Sequence, residues 1–555
     1  MLLSNMELLA TAPGGVAKLR ELILTLAVQG KLVPQDPADE PAGVLLQKIR
    51  AEKDRLIAEG KIKRDKPVAE IAEEEKPFEL PMGWEWVRLA ELAYPQAGFA
   101  FKSNGFNDVG LGLPLIRIRD VGDNKPATFF SGEFRPEFVV EPGDWLISMD
   151  GEFRVREWHG PTSLLNQRVT RLIFCGDELF QPFVATALQF RLQELQGTKA
   201  YTTVDHLSGG QIASAVVPVP PLAEQSRIVT RVEALMRLCD ALEAKGQLEA
   251  TQHAQLVSTL LGTLTASTTP EELAANWQRV AQHFDLLLDR PEAIDALEQT
   301  LLQLAVRGLL VPQDPTDEPA SALLQKIRAE KDRLIATGQI KRDKPLPPIT
   351  DEEKPFELPV EWEWVRVGDV VELLNGYAFK SEWFKPAGVR LLRNVNISHG
   401  HVDWSAPVML DAVAAQSYEQ FALRVGDIVL SLDRPIISTG LKYAVIRESD
   451  LPCLLLQRVA RLTASACLSP EFLQLWLRSD LFVGTIDPGR SNGVPHISTK
   501  QVAGLAFALP PLAEQSRIVT RVTALRRLCA DLRQRLAERQ SVQARLAEAL
   551  VTSVA

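Results

Sequence analysis

Thirteen residues occur twice in this chain without a change. The stretch PPLAEQSRIVTRV stands at residues 220–232 and again at 510–522. A second segment begins at Leu26 as LAVQGKLVPQDP and returns at Leu304 as LAVRGLLVPQDP, and EEKPFELPMGWEWVRL, ending at Leu89, returns as EEKPFELPVEWEWVRV, ending at Val367. Repeats of this length constrain the fold before any other feature. The chain is therefore interpreted as a duplication in which shared helical blocks alternate with variable blocks.

The PPLAEQ segments carry the signals of a helix start. Two prolines precede Leu222 and Leu512, and a glutamate follows in the first turn, where the helix dipole favours a negative charge. Proline is absent from residues 222–269 of the sequence. A helix over even 30 of those residues would be about 45 Å long. The sequence predicts one long helix after each variable block.

Apolar residues in both predicted helices recur at alternating steps of four and three, which is the pattern of a coiled-coil seam. The seam residues are Ile228, Val232, Leu235, Cys239 and Leu242 in the first copy, and Ile518, Val522, Leu525, Cys529, Leu532 and Leu536 in the second. Antiparallel pairing of the two helices is the preferred interpretation. The alternative is that each helix packs on its own domain.

The variable blocks have a different composition. Short β-rich runs such as DWLISMD, QRVTRLIF and DIVLSLD are separated by Gly, Asp, Asn and Pro, which are strand and turn signals. The predicted fold class is α+β, with two globular domains built on twisted sheets and separated by long antiparallel helices in a pseudo-twofold arrangement. The predicted boundaries are 1–89 (helices and linker), 90–217 (first domain), 218–367 (long helix, helical repeat and linker), 368–508 (second domain) and 509–555 (long helix).

The two variable blocks differ at most positions yet share five short segments. GFAFKS at 98–103 matches GYAFKS at 376–381, and residues 115–121, 142–150, 164–172 and 204–208 match 391–397, 425–433, 454–462 and 494–498. Shared segments within divergent sequence indicate one fold with two different specificities.

Composition excludes several classes of protein. The 555 residues have a formal net charge of −10, which argues against a simple basic nucleic-acid coat but allows a local basic face. Five scattered cysteines with no CxxC pair suggest neither a disulfide framework nor a zinc site and fit a reduced cytoplasmic compartment. The N-terminus does not read as a signal peptide, and no apolar run is long enough to suggest a membrane span.

These segments, in this order and in duplicate, resemble the specificity subunit of a type I restriction-modification system. The resemblance covers nearly the whole chain. It implies that each variable block is a target recognition domain for one half of a split double-stranded DNA site. It also implies that the helical regions hold two methyltransferase (modification) subunits, which restriction/translocase subunits join. This chain would then be non-catalytic and bind no cofactor, with S-adenosylmethionine, ATP and Mg2+ held by the partners.

Candidate DNA contacts follow from the side chains suited to that role. Arginine and lysine recognise guanine, asparagine recognises adenine, and Lys and Ser also anchor the phosphate backbone. The candidates are Lys102, Ser103, Arg117, Arg119, Arg154 and Arg156 in the first domain, and Lys380, Ser381, Arg393, Asn394, Asn396 and Arg434 in the second. The shared Lys-Ser pair is assigned to backbone positioning or to the fold. Positions that differ between the domains, such as Arg119 and Asp120 against Val395 and Asn396, are assigned to base choice.

Other polar residues receive structural interpretations. His206 and His496 share a position, but no third group in the sequence is placed to orient either one for catalysis, so a structural or phosphate-contacting histidine is the preferred interpretation. The pairs Gln167-Arg168 and Gln457-Arg458 lie in strand-like runs and are interpreted as polar pairs of the domain cores. The basic stretches at 61–66 and 339–344 are interpreted as solvated linkers.

Two alternative functions remain to be compared with this pattern. An enzymatic role is disfavoured because the sequence has no Walker A loop, no methyltransferase-type glycine-rich loop and no PD…ExK nuclease pattern. A duplicated coiled-coil scaffold that binds only proteins is the second alternative. It gives no reason for two domains to stay alike in fold while their surfaces diverge.

Overall fold

The computed structural model describes residues 9, 12–60, 69–151, 153–175, 181–197, 207–267, 269–337, 345–486 and 496–554. The chain divides into two compact units. Unit 1 comprises Met1–Glu249 and Gln540–Ala555, and unit 2 comprises Ala250–Arg539. Each unit contains one of the sheet-rich variable blocks, so the architecture is mixed helix and sheet with two sheet-rich domains and long helices. Among the described residues, no helix combines the length and apolarity needed to cross a bilayer.

Unit 1 begins with helices that flank its sheet-rich domain. Its helices are α1 (Gly15–Val28), α2 (Ala42–Ala58), α3 (Leu89–Leu92), α4 (Gln181–Gly197), α5 (Gly209–Ser214) and the first part of α6 (Leu222–Ala266). Its strands are β1 (Glu85–Arg88), β2 (Ala93–Ala97), β3 (Phe106–Asn107), β4 (Leu113–Ile116), β5 (Phe129–Phe130), β6 (Val139–Val140), β7 (Trp145–Ser148), β8 (Val155–Glu157), β9 (Ser163–Leu165), β10 (Val169–Phe174) and β11 (Val216–Val219).

The first sheet domain, residues 93–174, contains two sheets. One is antiparallel with the order β2-β10-β7-β8, and the other has the order β3-β5-β4-β9-β6 with β4 and β9 parallel. Strand β1 pairs with β11 as a separate two-stranded ribbon. The largest core of unit 1 lies where α2, α4 and the start of α6 pack on the antiparallel sheet and on this ribbon.

Unit 2 is built from the corresponding elements and several additional ones. Its helices are the end of α6, α7 (Pro270–Gln282), α8 (Phe284–Leu287), α9 (Pro291–Val306), α10 (Ala320–Ala336), α11 (Val367–Val370), α12 (Ala412–Ala415), α13 (Pro470–Arg478), α14 (Asp480–Val483), α15 (Thr499–Ala503) and most of α16 (Leu512–Val554). Its strands are β12 (Glu363–Arg366), β13 (Val371–Asn375), β14 (Phe384–Lys385), β15 (Val389–Leu392), β16 (His399–Gly400), β17 (Val408–Leu410), β18 (Ile428–Ser431), β19 (Ile436–Ile437), β20 (Gly440–Leu441), β21 (Tyr443–Val445), β22 (Cys453–Leu455), β23 (Val459–Ala464) and β24 (Ala506–Leu509).

The second sheet domain, residues 371–464, has sheets of order β13-β23-β18-β21-β16 and β14-β17-β15-β22, with β15 and β22 parallel. Strand β12 pairs with β24 as β1 pairs with β11. The short hairpin of β19 and β20 lies between Asp433 and Lys442. The corresponding interval of the first domain is shorter, so part of the length difference between the two blocks lies in this hairpin.

Both long helices begin at the predicted residue. Helix α6 has 45 residues and α16 has 43, which at 1.5 Å per residue gives about 65 to 68 Å. Gly246 comes four residues after Leu242, the last seam residue of the first copy, and the helix continues through it. A solvent-exposed glycine costs a helix only about 1 kcal/mol, less than the surrounding residues stabilise it.

The repeated PPLAEQ segment holds two loops together inside each unit. The carboxylate of Glu224, 1% exposed, accepts hydrogen bonds from Trp84 Nε1 at 3.0 Å and Gln35 Nε2 at 2.7 Å. Glu514 accepts the same pair of bonds from Trp362 and Gln313, at 2.9 and 2.8 Å. Burial raises the pKa of Glu224 and of Glu514. An internal network therefore explains part of the identity between the two copies, because a buried carboxylate needs its donors retained.

The predicted seam residues lie in two environments in each copy. Ile228 belongs to the large core of unit 1, and Ile518 and Val522 belong to that of unit 2, with Val232 packed against the first. Leu235, Cys239 and Leu242 lie with Leu19 and Ile23 of α1 in a cluster that also contains Ala547 of α16. Leu525, Cys529, Leu532 and Leu536 lie with residues of α9 in a cluster that also contains Val257 and Leu261 of α6. The first part of each long helix thus packs on one unit, and the end of the other long helix contributes to a cluster of that same unit.

Candidate nucleic-acid interface

Three segments of the first sheet domain meet at one edge, at the loops that follow β2, β7 and β9. The amide of Phe99 donates to the carbonyl of Leu165 at 3.0 Å, and the amide of Met149 donates to the carbonyl of Arg168 at 3.1 Å. The amide of Leu207 then donates to the carbonyl of Met149 at 2.8 Å. Residues 98–103, 149–150 and 166–168 are called the first loop cluster below.

The second sheet domain repeats this arrangement. The amide of Tyr377 donates to the carbonyl of Leu455 at 3.0 Å, that of Leu432 to the carbonyl of Arg458 at 2.9 Å, and that of Ile497 to the carbonyl of Leu432 at 3.0 Å. Residues 376–381, 432–434 and 456–458 are called the second loop cluster. The shared sequence segments of the two blocks therefore converge in space within each domain.

One glycine in each cluster permits this close approach. A Cβ atom on Gly98 would lie 2.0 Å from the carbonyl oxygen of Asn166, and one on Gly376 would lie 2.2 Å from that of Leu456. Any other residue would push the two loops apart. The glycine of the G-F/Y-A-F-K-S segment is thus required by packing between loops.

The predicted Lys-Ser pairs lie exposed at the end of these segments. Lys102 and Ser103 begin one short 3-10 turn, and Lys380 and Ser381 begin another. The ammonium of Lys380 lies 5.8 Å from the ring centroid of Trp383. Exposed cations at equivalent positions in both domains suit contacts to a phosphate backbone.

The two arginines that follow β4 and β15 are half-buried. The guanidinium of Arg117 lies 5.6 Å from the ring centroid of Phe106. Arg393 donates to the carbonyl of Ala406 at 2.5 Å and to Oδ1 of Asn396 at 3.3 Å. Hydrogen bonds within the domain therefore hold the guanidinium of Arg393, whereas that of Arg117 packs near an aromatic ring.

Asp120 and Asn396 shape the turn after those arginines. Asp120, 4% exposed, accepts a hydrogen bond from the amide of Arg117 at 2.8 Å, and burial raises its pKa. Asn396, 2% exposed, donates to the carbonyl of Asp403 at 3.0 Å. The assignment of Asn396 to base choice needs revision, because its amide is occupied inside the domain. Arg119 precedes Asp120, and Val395 precedes Asn396 at the corresponding position of the second domain. Both side chains are exposed, and the residue type differs between the domains.

The strand β8 region carries the remaining two candidates of the first domain. The amide of Arg154 donates to Ser148 Oγ at 2.9 Å, and Arg154 is half-buried. Arg156 is exposed, and its Nη1 lies 3.1 Å from Oε1 of the buried Gln189. In the second domain Lys442 takes the position of Arg154, since the amide of Ser431 pairs with Lys442 as that of Ser148 pairs with Arg154.

The second loop cluster contains an acid that the sequence analysis missed. Asp433, 8% exposed, accepts from Arg458 Nη1 at 3.0 Å and from Asn394 Nδ2 at 3.3 Å, and its Oδ1 lies 2.9 Å from His496 Nδ1. His496 therefore has an orienting carboxylate, contrary to the sequence analysis. Arg434 is exposed beside it. His206 and both basic stretches lie outside the described residues.

The two Gln-Arg pairs are not polar pairs of the domain cores. The side chain of Arg168 is 50% exposed and lies 3.1 Å from Asp150, and that of Arg458 is 66% exposed. A carboxylate at the end of β7 or β18 holds each arginine at the surface. Spacing along the sequence could not reveal this, because the aspartate and the arginine come from separate strands.

Comparison with known proteins identifies the family of this chain. The model of the family described as "Type I restriction modification DNA specificity domain" matches residues 81–252 and 359–539. The chain is 45% identical to the type I restriction enzyme EcoAI specificity subunit of Escherichia coli, over 97% of this chain and 93% of that protein. It is 34% identical to the EcoEI specificity subunit of Escherichia coli over the same shares. The solved HsdS subunit from Thermoanaerobacter tengcongensis is 19% identical, covers 86% of this chain and 98% of its own, and has a TM-score of 0.38.

Proposed function

This chain belongs to the type I restriction-modification DNA specificity family, and from that membership we propose that it reads a bipartite duplex target, one half with each sheet domain. The observation that carries the proposal is the pair of loop clusters. Each brings the same shared segments to one edge of a sheet domain and surrounds them with different exposed residues. A common frame with divergent surfaces suits two readers of different base sequences.

Within each cluster we assign backbone contacts to the Lys-Ser pair that both domains share. Lys102 with Ser103 and Lys380 with Ser381 are exposed and equivalent, so they would fix the orientation of each domain on the duplex. Contacts that vary between the domains are assigned to Arg119, Arg154 and Arg156 in the first domain and to Asn394 and Arg434 in the second. Arg117 and Arg393 would position the adjacent turn, together with Asn396.

The long helices would set the separation of the two half-sites. In this proposal α6 and α16 run antiparallel, with the two sheet domains related by a pseudo-twofold axis. Its support is the repeated contact pattern, in which the start of one long helix and the end of the other lie in the same apolar cluster. The domain boundaries proposed from the sequence, near residues 90, 218, 368 and 509, then separate the readers from the helices.

The chemistry would be supplied by partners. Two modification subunits would bind the helical regions and methylate the DNA, and restriction/translocase subunits would join them, while this chain remains non-catalytic. S-adenosylmethionine, ATP and Mg2+ would be bound by those subunits. The net charge of −10 agrees with partners that contribute much of the phosphate contact.

The test is a methylation map. The chain is mixed with its modification subunits, supplied with S-adenosylmethionine, and incubated with random-sequence duplex DNA. Methylation at one split motif with a fixed gap is expected. Methylation without a motif would favour the protein-interaction scaffold and contradict the proposal.

A further inference from the structure

The carboxylate of Asp433 lies close to polar side chains from three separate segments of unit 2. Its two carboxylate oxygens lie within 3.3 Å of Arg458, Asn394 and His496, although the carboxylate itself is buried. A buried carboxylate with this many donors has little freedom to rotate. The side chains that it holds are therefore fixed in position before any ligand arrives.

Two residues of this cluster have unusual backbone conformations. Arg458 has φ +68° and Arg434 has φ +46°, in the left-handed region that side chains other than those of Gly and Asn rarely adopt. Such conformations cost free energy and concentrate at functional sites. Arg458 keeps a side chain that is 66% exposed in spite of its ion pair. The guanidinium of Arg458 is therefore exposed at the surface while its ion pair with Asp433 restricts its movement.

The first loop cluster contains the same acid and the same arginine. Asp150 follows β7 as Asp433 follows β18, and Arg168 Nη1 lies 3.2 Å from Asp150 Oδ1. The neighbours differ, because Ile118 stands where the second domain has Asn394. Because both domains contain the same aspartate–arginine pair, we expect the pair to contact a chemical group that both half-sites contain.

We propose that Arg168 and Arg458 each read one guanine, one in each half of the target, and that Asp150 and Asp433 are the positioning residues that aim them. This inference rests on the proposed function. A guanidinium fork donates two parallel hydrogen bonds to O6 and N7 of guanine, which is the commonest specific contact in the major groove.

A phosphate contact fits the geometry less well. The carboxylate beside each guanidinium offsets much of its charge, which weakens the charge-driven attraction to phosphate. It leaves the remaining N–H donors in place and fixes their direction, which is what base recognition requires. The paired carboxylate therefore favours a directional contact over a purely electrostatic one.

The experiment compares methylation motifs of complexes that carry Arg458→Lys or Arg168→Lys with that of the wild-type complex. Lysine keeps the charge but lacks the planar pair of N–H donors, so any contact that it makes to guanine is weaker and less directional than that of arginine. Arg458→Lys is expected to lower the preference for guanine at one position of one half-site by roughly 5- to 100-fold, from the value of one bidentate pair. The other half-site should not change, and Arg168→Lys should give the converse pattern.

Asp433→Asn and Asp150→Asn test the same base position of each half-site by changing the residue that positions the arginine. Each should relax the base preference that the matching arginine variant relaxes, which a loss of stability alone would not do. Arg424→Lys, on an exposed position before β18 and at the opposite end of that strand from Asp433, is the control and should leave the motif intact. Melting curves identify any variant that fails to fold, in which case its partner variant decides.

The results that overturn the inference are distinct from those that overturn the proposed function. An unchanged motif would exclude a base contact. If Arg458→Ala and Arg168→Ala, which remove the charge, then made the salt dependence of DNA binding shallower, these arginines would be phosphate contacts. An unchanged salt dependence in the alanine variants would remove them from the interface. A wild-type complex that methylates without any split motif would overturn the proposed function, and with it the inference.

Discussion

The indole nitrogen of Trp84 donates a 3.0 Å hydrogen bond to the carboxylate of Glu224, 140 positions along the chain. The tryptophan precedes β1, and the glutamate lies in the first turn of α6. Since β1 also pairs with β11, the bond fixes the direction in which α6 leaves the domain. Trp362 and Glu514 make the same bond in unit 2 at 2.9 Å. These two bonds tie each sheet-rich domain to a long helix.

Glu224→Gln is expected to destabilise unit 1. The carboxamide has one oxygen, so it cannot accept from Trp84 and from Gln35 through separate oxygens, and one buried donor loses its partner. The expected cost is about 1–3 kcal/mol in the free energy of unfolding. Urea denaturation of the full chain, followed by tryptophan fluorescence, measures it.

A matched control lies on the same helix. Glu233 is exposed and pairs with Arg237 at 3.2 Å, so Glu233→Gln should change the free energy of unfolding by less than about 1 kcal/mol. Equal effects of the two substitutions would contradict a structural role for the buried network.

Ion pairs at the last residues of β1 and β12 predict that the stability of the fold decreases in acid. Hydrogen bonds from the buried Arg88 lower the pKa of Glu75 from 4.5 to about 2, and those from Arg366 do the same for Glu353. A lowered carboxyl pKa stabilises the fold above the ordinary pKa, and that stabilisation is lost as pH falls from 4.5 towards 2. The double variant Glu75→Gln/Glu353→Gln should therefore differ most from wild type at neutral pH.

The measurement is the urea midpoint of both proteins between pH 7 and pH 2.5. The difference between them should shrink as the pH falls through this window. A difference that stays constant with pH would mean that these carboxylates do not titrate with folding.

Gly98→Ala is expected to open the first loop cluster. The added methyl group would sit 2.0 Å from the carbonyl oxygen of Asn166, so the loops must separate, at a cost of about 1–3 kcal/mol. Binding to target duplex should weaken as well, because Lys102 moves with the loop. Fluorescence anisotropy on the complex with modification subunits measures the binding.

Gly246→Ala is the control for added volume. Nothing lies within 4 Å of a Cβ atom at this helical position, so alanine should stabilise α6 by up to about 1 kcal/mol. Loss of binding with Gly246→Ala but not with Gly98→Ala would argue against the first loop cluster as the contact surface.

Lys102→Ala and Lys380→Ala should weaken DNA binding without changing the motif. Each removes one exposed cation assigned to a phosphate, so the slope of log K against log salt should fall by about 1 for each substitution. Titrations of the complex at several salt concentrations measure the slope, and methylation mapping tests the motif. A changed motif would reassign these lysines to base recognition.

The sequence predicts the large elements well and the polar contacts poorly. Proline and glutamate at the start of PPLAEQ correctly place the first turns of α6 and α16, and the alternation in QRVTRLIF predicts β10. The same pattern assigned Glu224 to the helix dipole, whereas the structure buries it against Trp84 and Gln35. Periodicity reports which face of an element is apolar, but it does not identify a polar partner from a distant segment.

The second loop cluster illustrates the same limit. The sequence separates Asp433, Arg458 and His496 by 25 residues or more, and Arg458 reads as part of a strand. The structure joins them because β18 and β23 are neighbours in one sheet, so their ends meet. Asn396 differs from its counterpart Asp120, which suggests a role in base choice, but its burial assigns it to the turn. Variation between the domains indicates a difference in DNA contact only where the position is exposed.

The most direct test of the account changes the length of the long helices. One heptad is inserted into α6 within residues 245–250 and another into α16 within residues 537–542, which keeps the faces of both helices in register. Seven residues add about 10.5 Å of helix, or about three base pairs at 3.4 Å each. Methylation mapping should find both half-sites unchanged and the gap between them longer. A complex that still methylates the original motif with the original gap would contradict the proposal that these helices set the spacing.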